Sequence, residues 1–410
     1  MNKHSTLRAL ALATLFGALI SGCSLFGDGP KWGAKRDAAK NAEPVVPVLP
    51  EPAPTHQFTI TPTTDIVGVV QKTRATKEDT LTDIARRFNV GYEEIVRANP
   101  GVDPWLPGEN REIVIPSQFI LPNAPREGIV INAAAMRLFY YPKVKKGEPQ
   151  VVHTYPIGIG KVGWKTPEGA TKIVRRTKDP IWRPTPSIIK EHLEERGEKL
   201  EREVKAGPDN PLGRFAFYLG WPTYMIHGTN KPAGVGLRSS HGCIRLYPED
   251  IATLYELAPV GTQVRVVNQP FLFGWHDGAL HIQAFDVLED DPRDWKKAQA
   301  KLLNKALADR IQEELKARKE KIDWDAVSKL SHDPRGIPVS VSGGPDQLDA
   351  IVASAIVVQN KVAPGATWDG VSDLPVDEAT FQELVSDREP SVESAAAAAA
   401  PAAKPKPISN

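Results

Sequence analysis

Between residues 127 and 268 the chain breaks into short apolar runs: IVINAAAMRLFYYP, QVVHTYPIGIG, TKIVRRTKDP, FAFYLG, TYMIHGT and TQVRVVN. They are rich in β-branched and aromatic residues and are broken by Gly and Pro, the punctuation of strands. A series of such runs can bury its apolar side chains only in a sheet folded around a shared core, so the segment predicts a mainly β domain. Two helical patches interrupt it. IIKEHLEERGEKLEREVKAG is so highly charged that it reads as a solvated helix. PEDIATLYELAP places Pro248 in a first turn with Glu249 and Asp250 beside it, where a helix N-terminus favours acids.

A length of 410 residues leaves room for two or three domains. The formal net charge of +1 provides no electrostatic footprint for nucleic acid. The 37 prolines mark linkers. At the N-terminus Lys3 and Arg8 precede an apolar run from Ala9 to Ile20, too short to span a bilayer and placed as a secretory signal is. It ends in Ile20-Ser21-Gly22-Cys23, which resembles the lipobox of bacterial lipoproteins. The resemblance implies a signal peptide over 1–22 and a lipid on Cys23, which anchors the chain without spanning. The plainer alternative is an ordinary signal peptide with a chance cysteine. Ser24, rather than Asp, follows the cysteine, which by the same resemblance implies the outer membrane of a Gram-negative cell. Residues 23–65, with AEPVVPVLPEPAPTH, read as an extended Pro/Ala-rich tether.

Residues 66–118 have the pattern of a small separate unit. Leu81, Ile84, Ala85 and Phe88 recur at helical spacing, as do Tyr92, Ile95 and Val96. Asp79 or Thr80 is placed to cap the first helix, Asn99-Pro100-Gly101 ends the second, and Ile113-Val114-Ile115-Pro116 reads as a closing strand. Asp79-Thr80-Leu81, Ile84-Ala85, Val90, Ile95, Asn99, Leu106, Pro107-Gly108 and Ile115-Pro116 resemble a LysM domain, except that Glu78 stands where that family has glycine. The resemblance implies a βααβ module that binds N-acetylglucosamine-containing glycan; a linker domain without ligand is the alternative. Beyond the β domain, residues 279–387 form an extension of unassigned role. ALHIQAFDVLED reads as one more strand, and Leu303, Leu307, Ile311 and Leu315 mark an amphipathic helix over 292–324 whose stripe is a packing face. Residues 388–410 are low-complexity and expected to be disordered.

The chain has two cysteines. If Cys23 carries lipid, Cys243 has no partner in the chain, and an unpaired thiol in an oxidising compartment persists best where it is used. Its setting, HGTNKPAGVGLRSSHGCIRL over 227–246, is polar and glycine-rich rather than apolar. A thiol attacks as thiolate and needs a base or a cation nearby. His227 and His241 each offer an imidazole, and spacing alone does not choose between them. Gly242 lets the Cys243 amide face a developing oxyanion, and Arg245 is a fixed cation. A zinc site from His227, His241 and Cys243 lacks a fourth ligand, and a structural cysteine with incidental histidines is the bland alternative. A histidine-activated nucleophile fits the residue types best.

HGTN followed by GVGLRSSHGCIRL, with the upstream segments YPIGIGKVGWKTPEGATKI and AGPDNPLGRFAFYL, resembles the YkuD-type L,D-transpeptidases over most of 127–268. Signal, LysM and YkuD units in that order resemble the ErfK/YbiS/YcfS/YnhG group. The resemblance implies a YkuD-type β-sandwich catalytic domain with a small βααβ LysM domain before it; the helical C-terminal extension after 279 fits that group less well. It assigns Cys243 as nucleophile and His227 as acid/base with the Gly228 carbonyl holding its ring. His241 and Gly242 would shape the oxyanion pocket, and Ser240, Arg245, Thr229 and Asn230 would support the loop or bind substrate. The implied reaction releases D-Ala from a peptidoglycan tetrapeptide stem and passes the diaminopimelate acyl group to an amine, in a 3→3 crosslink or on a lysine of an outer-membrane lipoprotein. It needs no cofactor or metal, and it places the chain in a Gram-negative periplasm. A hydrolase of the same fold, or a non-catalytic peptidoglycan-binding lipoprotein, are the alternatives.

Overall fold

The computed structural model describes residues 48–145, 147–294, 305–342 and 348–361, with the side chains of 305–310 left aside. The signal segment, Cys23, most of the tether and the 388–410 tail lie outside the described residues. From Leu49 onward the chain belongs to one unit.

The tether ends earlier than its proline content suggested. Strand β1 (Gln57–Ile60) pairs antiparallel with β8 (Gln150–Pro156), so residues 57–60 are sheet rather than linker. QFTI alternates apolar and polar, and Ile60 is buried. Next come β2 (Ile66–Gly68), β3 (Gln71–Arg74), α1 (Leu81–Arg87), α2 (Tyr92–Ala98), β4 (Glu112–Ile115) and β5 (Gln118–Ile120). β3-α1-α2-β4 is the expected βααβ unit, with β3 and β4 antiparallel. Thr80, not Asp79, caps α1: its hydroxyl accepts the Asp83 amide, and the Asp83 carboxylate accepts the Thr80 amide. Leu81, Ile84, Ala85, Phe88 and Ile95 fill the core between helices and strands, as their spacing predicts.

The β domain comprises β6 (Gly128–Asn132), β7 (Arg137–Tyr141), β8, β9 (Ile159–Gly160), β10 (Gly169–Lys178), β11 (Phe215–Leu219), β12 (Met225–His227), β13 (Arg238–Ser240), β14 (Ile244–Arg245) and β15 (Gln263–Val267). Nine strands form one sheet in the order β1-β8-β7-β6-β15-β10-β11-β12-β14. Side chains alternate between its faces. Ile129, Ile131, Leu138 and Tyr140 join a core with Phe217, Ile226, Ile244 and α4 (Pro248–Leu257). Val130, Phe139 and Tyr141 face the other way, onto Phe119 and Leu121. Both faces are thus covered, which is why β6 and β7 are apolar except at Asn132 and Arg137, whose side chains are buried with hydrogen-bond partners. Helix α3 (Pro186–Arg196) lies between β10 and β11 and buries none of its residues. It stops at Gly197, φ +71°, so the second half of the charged patch is not helical; Val204 instead pairs with Trp182.

The extension is less helical than expected. β16 (Phe271–His276) and β17 (Ala279–Ala284) form a hairpin turned by Asp277-Gly278, both at positive φ. β17 also pairs with β18 (Val339–Ser340). Helices α5 (Lys305–Arg318) and α6 (Trp324–His332) bring Ile311, Leu315 and Val327 onto this sheet, so the stripe is a packing face where it is described. Leu303 and Leu307 fall outside the described side chains. After α7 (Leu348–Ser354), β19 (Ile356–Val357) joins β3 in parallel and Val358 enters the core of the βααβ unit.

The βααβ unit is built into the β domain. The amides of Tyr92 and Glu93, at the start of α2, donate to the carbonyls of Val235 and Gly236. The backbones meet so closely that a Cβ on Gly236, whose φ is +82°, would sit 2.1 Å from the Tyr92 nitrogen. Arg137, 1% exposed, forms a two-pronged pair with Glu94 at 2.7 Å and 2.7 Å and also donates to the Asn89 carbonyl. Arg86 grips the buried Glu249 of α4 the same way, at 2.9 and 3.0 Å.

Candidate active site

The edge of the sheet positions the cysteine. β12 and β14 run parallel, with Ile226 opposite Ile244 and His227 opposite Arg245. Both isoleucines are fully buried in the core. Alternation then sends His227 and Arg245 to the opposite face, and the same parity carried one residue before β14 sends Cys243 there too. The thiol, imidazole and guanidinium therefore gather at one sheet edge, although Cys243 and His227 are 16 positions apart in the chain.

His227 is buried, and its Nδ1 lies 2.6 Å from the Gly228 carbonyl. A carbonyl only accepts, so Nδ1 carries the proton and the lone pair of the neutral ring resides on Nε2. Burial, then the nearby Arg245 charge, lowers the His227 pKa to about 3. The Cys243 thiol is only partly exposed, and burial raises its pKa while the Met225 amide and Arg245 oppose that rise. The resting pair is consequently a neutral thiol and a neutral imidazole. Sγ donates to the Thr223 carbonyl at 3.7 Å. Thr223 is a β-branched residue at φ +68°, a strained conformation beside the sulfur. Burial lowers the Arg245 pKa; its Nη1 reaches the Ser239 hydroxyl at 3.3 Å, while its buried Nε has no hydrogen-bond partner among the described residues.

The turn before Cys243 is tied at several points. Ser240 Oγ donates to the Cys243 carbonyl at 2.6 Å and accepts the Gly242 amide at 3.2 Å. Gly242 has φ +96°, and a Cβ there would sit 2.7 Å from the Tyr224 ring. Its carbonyl accepts from the Thr166 hydroxyl at 3.0 Å. The Lys161 amide donates to the Ser240 carbonyl, and β13 pairs with β9. Thr229 accepts the Lys231 amide and so shapes its own loop, in which Asn230 is half-buried.

His241 is engaged elsewhere than at sulfur. Its Nε2 is hydrogen-bonded to Glu191 of α3, and its ring lies edge-on to Trp164 at 4.8 Å. Glu191 also accepts from Lys161 at 2.8 Å and Trp164 Nε1 at 2.9 Å. The Lys161 hydrogen bond is the largest influence lowering its pKa to about 2; burial opposes it, and the His241 and Trp164 hydrogen bonds help. Sequence reasoning missed Glu191, Lys161, Trp164, Thr166 and Thr223. Lys161, Trp164 and Thr166 lie in the YPIGIGKVGWKTPEGATKI segment that carries part of the YkuD resemblance, but nothing in the charged α3 pattern distinguished Glu191 from its neighbours.

Residues 126–266 match the YkuD family model, described as the L,D-transpeptidase catalytic domain, and residues 74–106 match the LysM domain model. Probable L,D-transpeptidase ErfK/SrfK of Escherichia coli K12 is 36% identical over 272 residues, 65% of this chain and 84% of that protein. Probable L,D-transpeptidase YbiS of the same strain is 49% identical over 212 residues, covering 51% and 67%. Probable L,D-transpeptidase YcfS is 42% identical over 224 residues, covering 52% and 68%. With a β-rich sheet, a cysteine and a histidine at its edge, and this extent of likeness, the chain belongs to the L,D-transpeptidase family.

Proposed function

We infer that the protein is a peptidoglycan L,D-transpeptidase with Cys243 as its nucleophile. The observation that carries this reading is the β12–β14 register, which sets a thiol, a Gly228-held imidazole and a guanidinium on one face of a sheet edge. Sγ attacks the carbonyl carbon of diaminopimelate, the third residue of a tetrapeptide stem, as its proton passes to His227 Nε2. The carbonyl π electrons move to oxygen, where the Cys243 amide receives the negative charge, since the Gly242 amide is already donated to Ser240 Oγ. Collapse breaks the bond to D-Ala, whose nitrogen takes the proton from His227, and a thioester remains. An amine then attacks the thioester and gives its proton to His227. Collapse expels sulfur, which recovers that proton. Arg245 steadies the thiolate at entry and exit. Both steps exchange one acyl bond for another, so no nucleotide is consumed.

The LysM unit, taken as 66–118, would hold the glycan while the catalytic domain, 127–268, works on the stem. A lipid on Cys23 would set this chemistry at the periplasmic face of the outer membrane. The acceptor amine is that of a neighbouring diaminopimelate or of a lipoprotein lysine. Incubation with disaccharide-tetrapeptide containing diaminopimelate, read by mass spectrometry, should give a crosslinked dimer lacking one D-Ala, and Cys243→Ala should give none. Tripeptide alone would assign water as acceptor under these conditions. Equal turnover by Cys243→Ala would reject the assignment.

A further inference from the structure

Helix α3 packs weakly: of its apolar side chains only Ile188 and Ile189 are partly buried. It fully buries none of its residues, and Leu193 is half exposed. A helix normally docks through a fully buried apolar stripe; α3 has only two partly covered isoleucines and reaches the domain mainly through carboxylates. Glu195 meets Lys161 at 3.5 Å at the surface. Glu191 meets three groups from two other segments: Lys161 and Trp164 of the loop after β9, and His241 of the turn that carries Cys243. Those two segments are joined to one another by the Lys161 amide on the Ser240 carbonyl and by Thr166 on the Gly242 carbonyl. The Trp164 ring closes one side of His241, so the imidazole is fixed by an indole edge and a carboxylate.

We propose that Glu191 is a positioning residue for the acyl transfer: by holding His241 through Nε2 it fixes the Ser240–Cys243 turn and thereby the line of attack of Sγ. It touches neither substrate nor sulfur, and its effect passes through His241. A carboxylate that accepts from a lysine, an indole and an imidazole has few geometries open to it, and a ring so held has few as well. α3 is then the arm that delivers this carboxylate, which accounts for a solvated helix in an otherwise well-packed domain. This proposal rests on the reading of Cys243 as nucleophile.

The test is the second-order rate at which a carbapenem acylates Cys243 in the full chain, followed by intact mass. Glu191→Ala should slow acylation about tenfold, on the scale of one lost charge-assisted hydrogen bond. Glu191→Gln, which keeps one acceptor oxygen, should fall between it and the unsubstituted chain. In a His241→Ala background, Glu191→Ala should change the rate by less than about twofold, because the partner through which it acts is gone. A merely structural role for Glu191 would cost the same in both backgrounds, and that result would overturn the proposal. So would a Glu191→Ala rate within about twofold of the unsubstituted chain. Should the unsubstituted chain and Cys243→Ala alike take no adduct, the nucleophile assignment itself fails, and the inference with it.

Discussion

Two elements flank the catalytic sheet and are fastened in opposite ways. The βααβ unit is attached through buried contacts: Arg137 on Glu94, Arg86 on Glu249, and the first amides of α2 on the Val235 and Gly236 carbonyls. Helix α3 is attached through partly exposed carboxylates and fully buries none of its residues. The difference teaches where stability and chemistry separate. The glycan-type module contributes to the folding of the whole unit, and the loop it clasps leads to the cysteine turn. α3 contributes little to folding, and its close engagements are with that turn and with the loop after β9 that is tied to it. A module that the sequence reads as a compact unit of its own is thus built into the body, while a helix that reads as solvated surface touches the site.

The largest expected effect breaks the first attachment. Glu94→Ala leaves the Arg137 guanidinium buried without its carboxylate, and removal of one partner of a buried pair costs about 3–5 kcal/mol. Calorimetry should show one cooperative transition moved to lower temperature. Two separate transitions in the unsubstituted chain would mean that the modules fold independently.

A second effect, smaller per pH unit, is carried by pH. His227, with its pKa lowered to about 3, stays neutral in the folded state while the unfolded chain protonates near 6.5. Stability is therefore complete above about pH 6.5 and falls as pH drops toward 3, by up to about 1.4 kcal/mol per pH unit for this group. His153, lowered to about 4 by burial, adds a similar slope that ends sooner. His227→Gln should flatten the acid limb of a denaturant-melt series and leave the His153 share in place. An unchanged slope would contradict the buried neutral imidazole.

The smallest effect sharpens the contrast. Leu193→Ser on α3 should shift stability by no more than about 0.5 kcal/mol, because the side chain is half exposed and its helix fully buries none of its residues. A loss above about 2 kcal/mol would mean that α3 is packed after all.

How much was legible in the sequence follows the same division. The βααβ helices were readable because Leu81, Ile84, Ala85 and Phe88 repeat at helical spacing and all enter one core. The reading of Cys243 as a histidine-activated nucleophile followed from residue chemistry, since a thiol in a polar, glycine-rich run demands an explanation, whereas the choice of His227 over His241 came from the YkuD resemblance. Their placement on one face did not follow, because it depends on a parallel β12–β14 register. β1 was hidden by the prolines before it, and β19 by being two residues long with its partner strand hundreds of positions away. β16 was within reach: Asp277-Gly278 between two apolar runs is a strong hairpin signal. Glu191 was beyond reach, because a single carboxylate among many on a charged helix differs from its neighbours only by what the fold brings opposite it.

The central claim is that Cys243 forms the acyl-enzyme with His227 as its base. It is tested most directly by peptide mapping after brief exposure of the full chain to a carbapenem, alongside His227→Ala. The account predicts a single stoichiometric adduct on the peptide containing Cys243 and acylation slowed at least about 100-fold in His227→Ala. An adduct elsewhere, or an undiminished rate in His227→Ala, would contradict it.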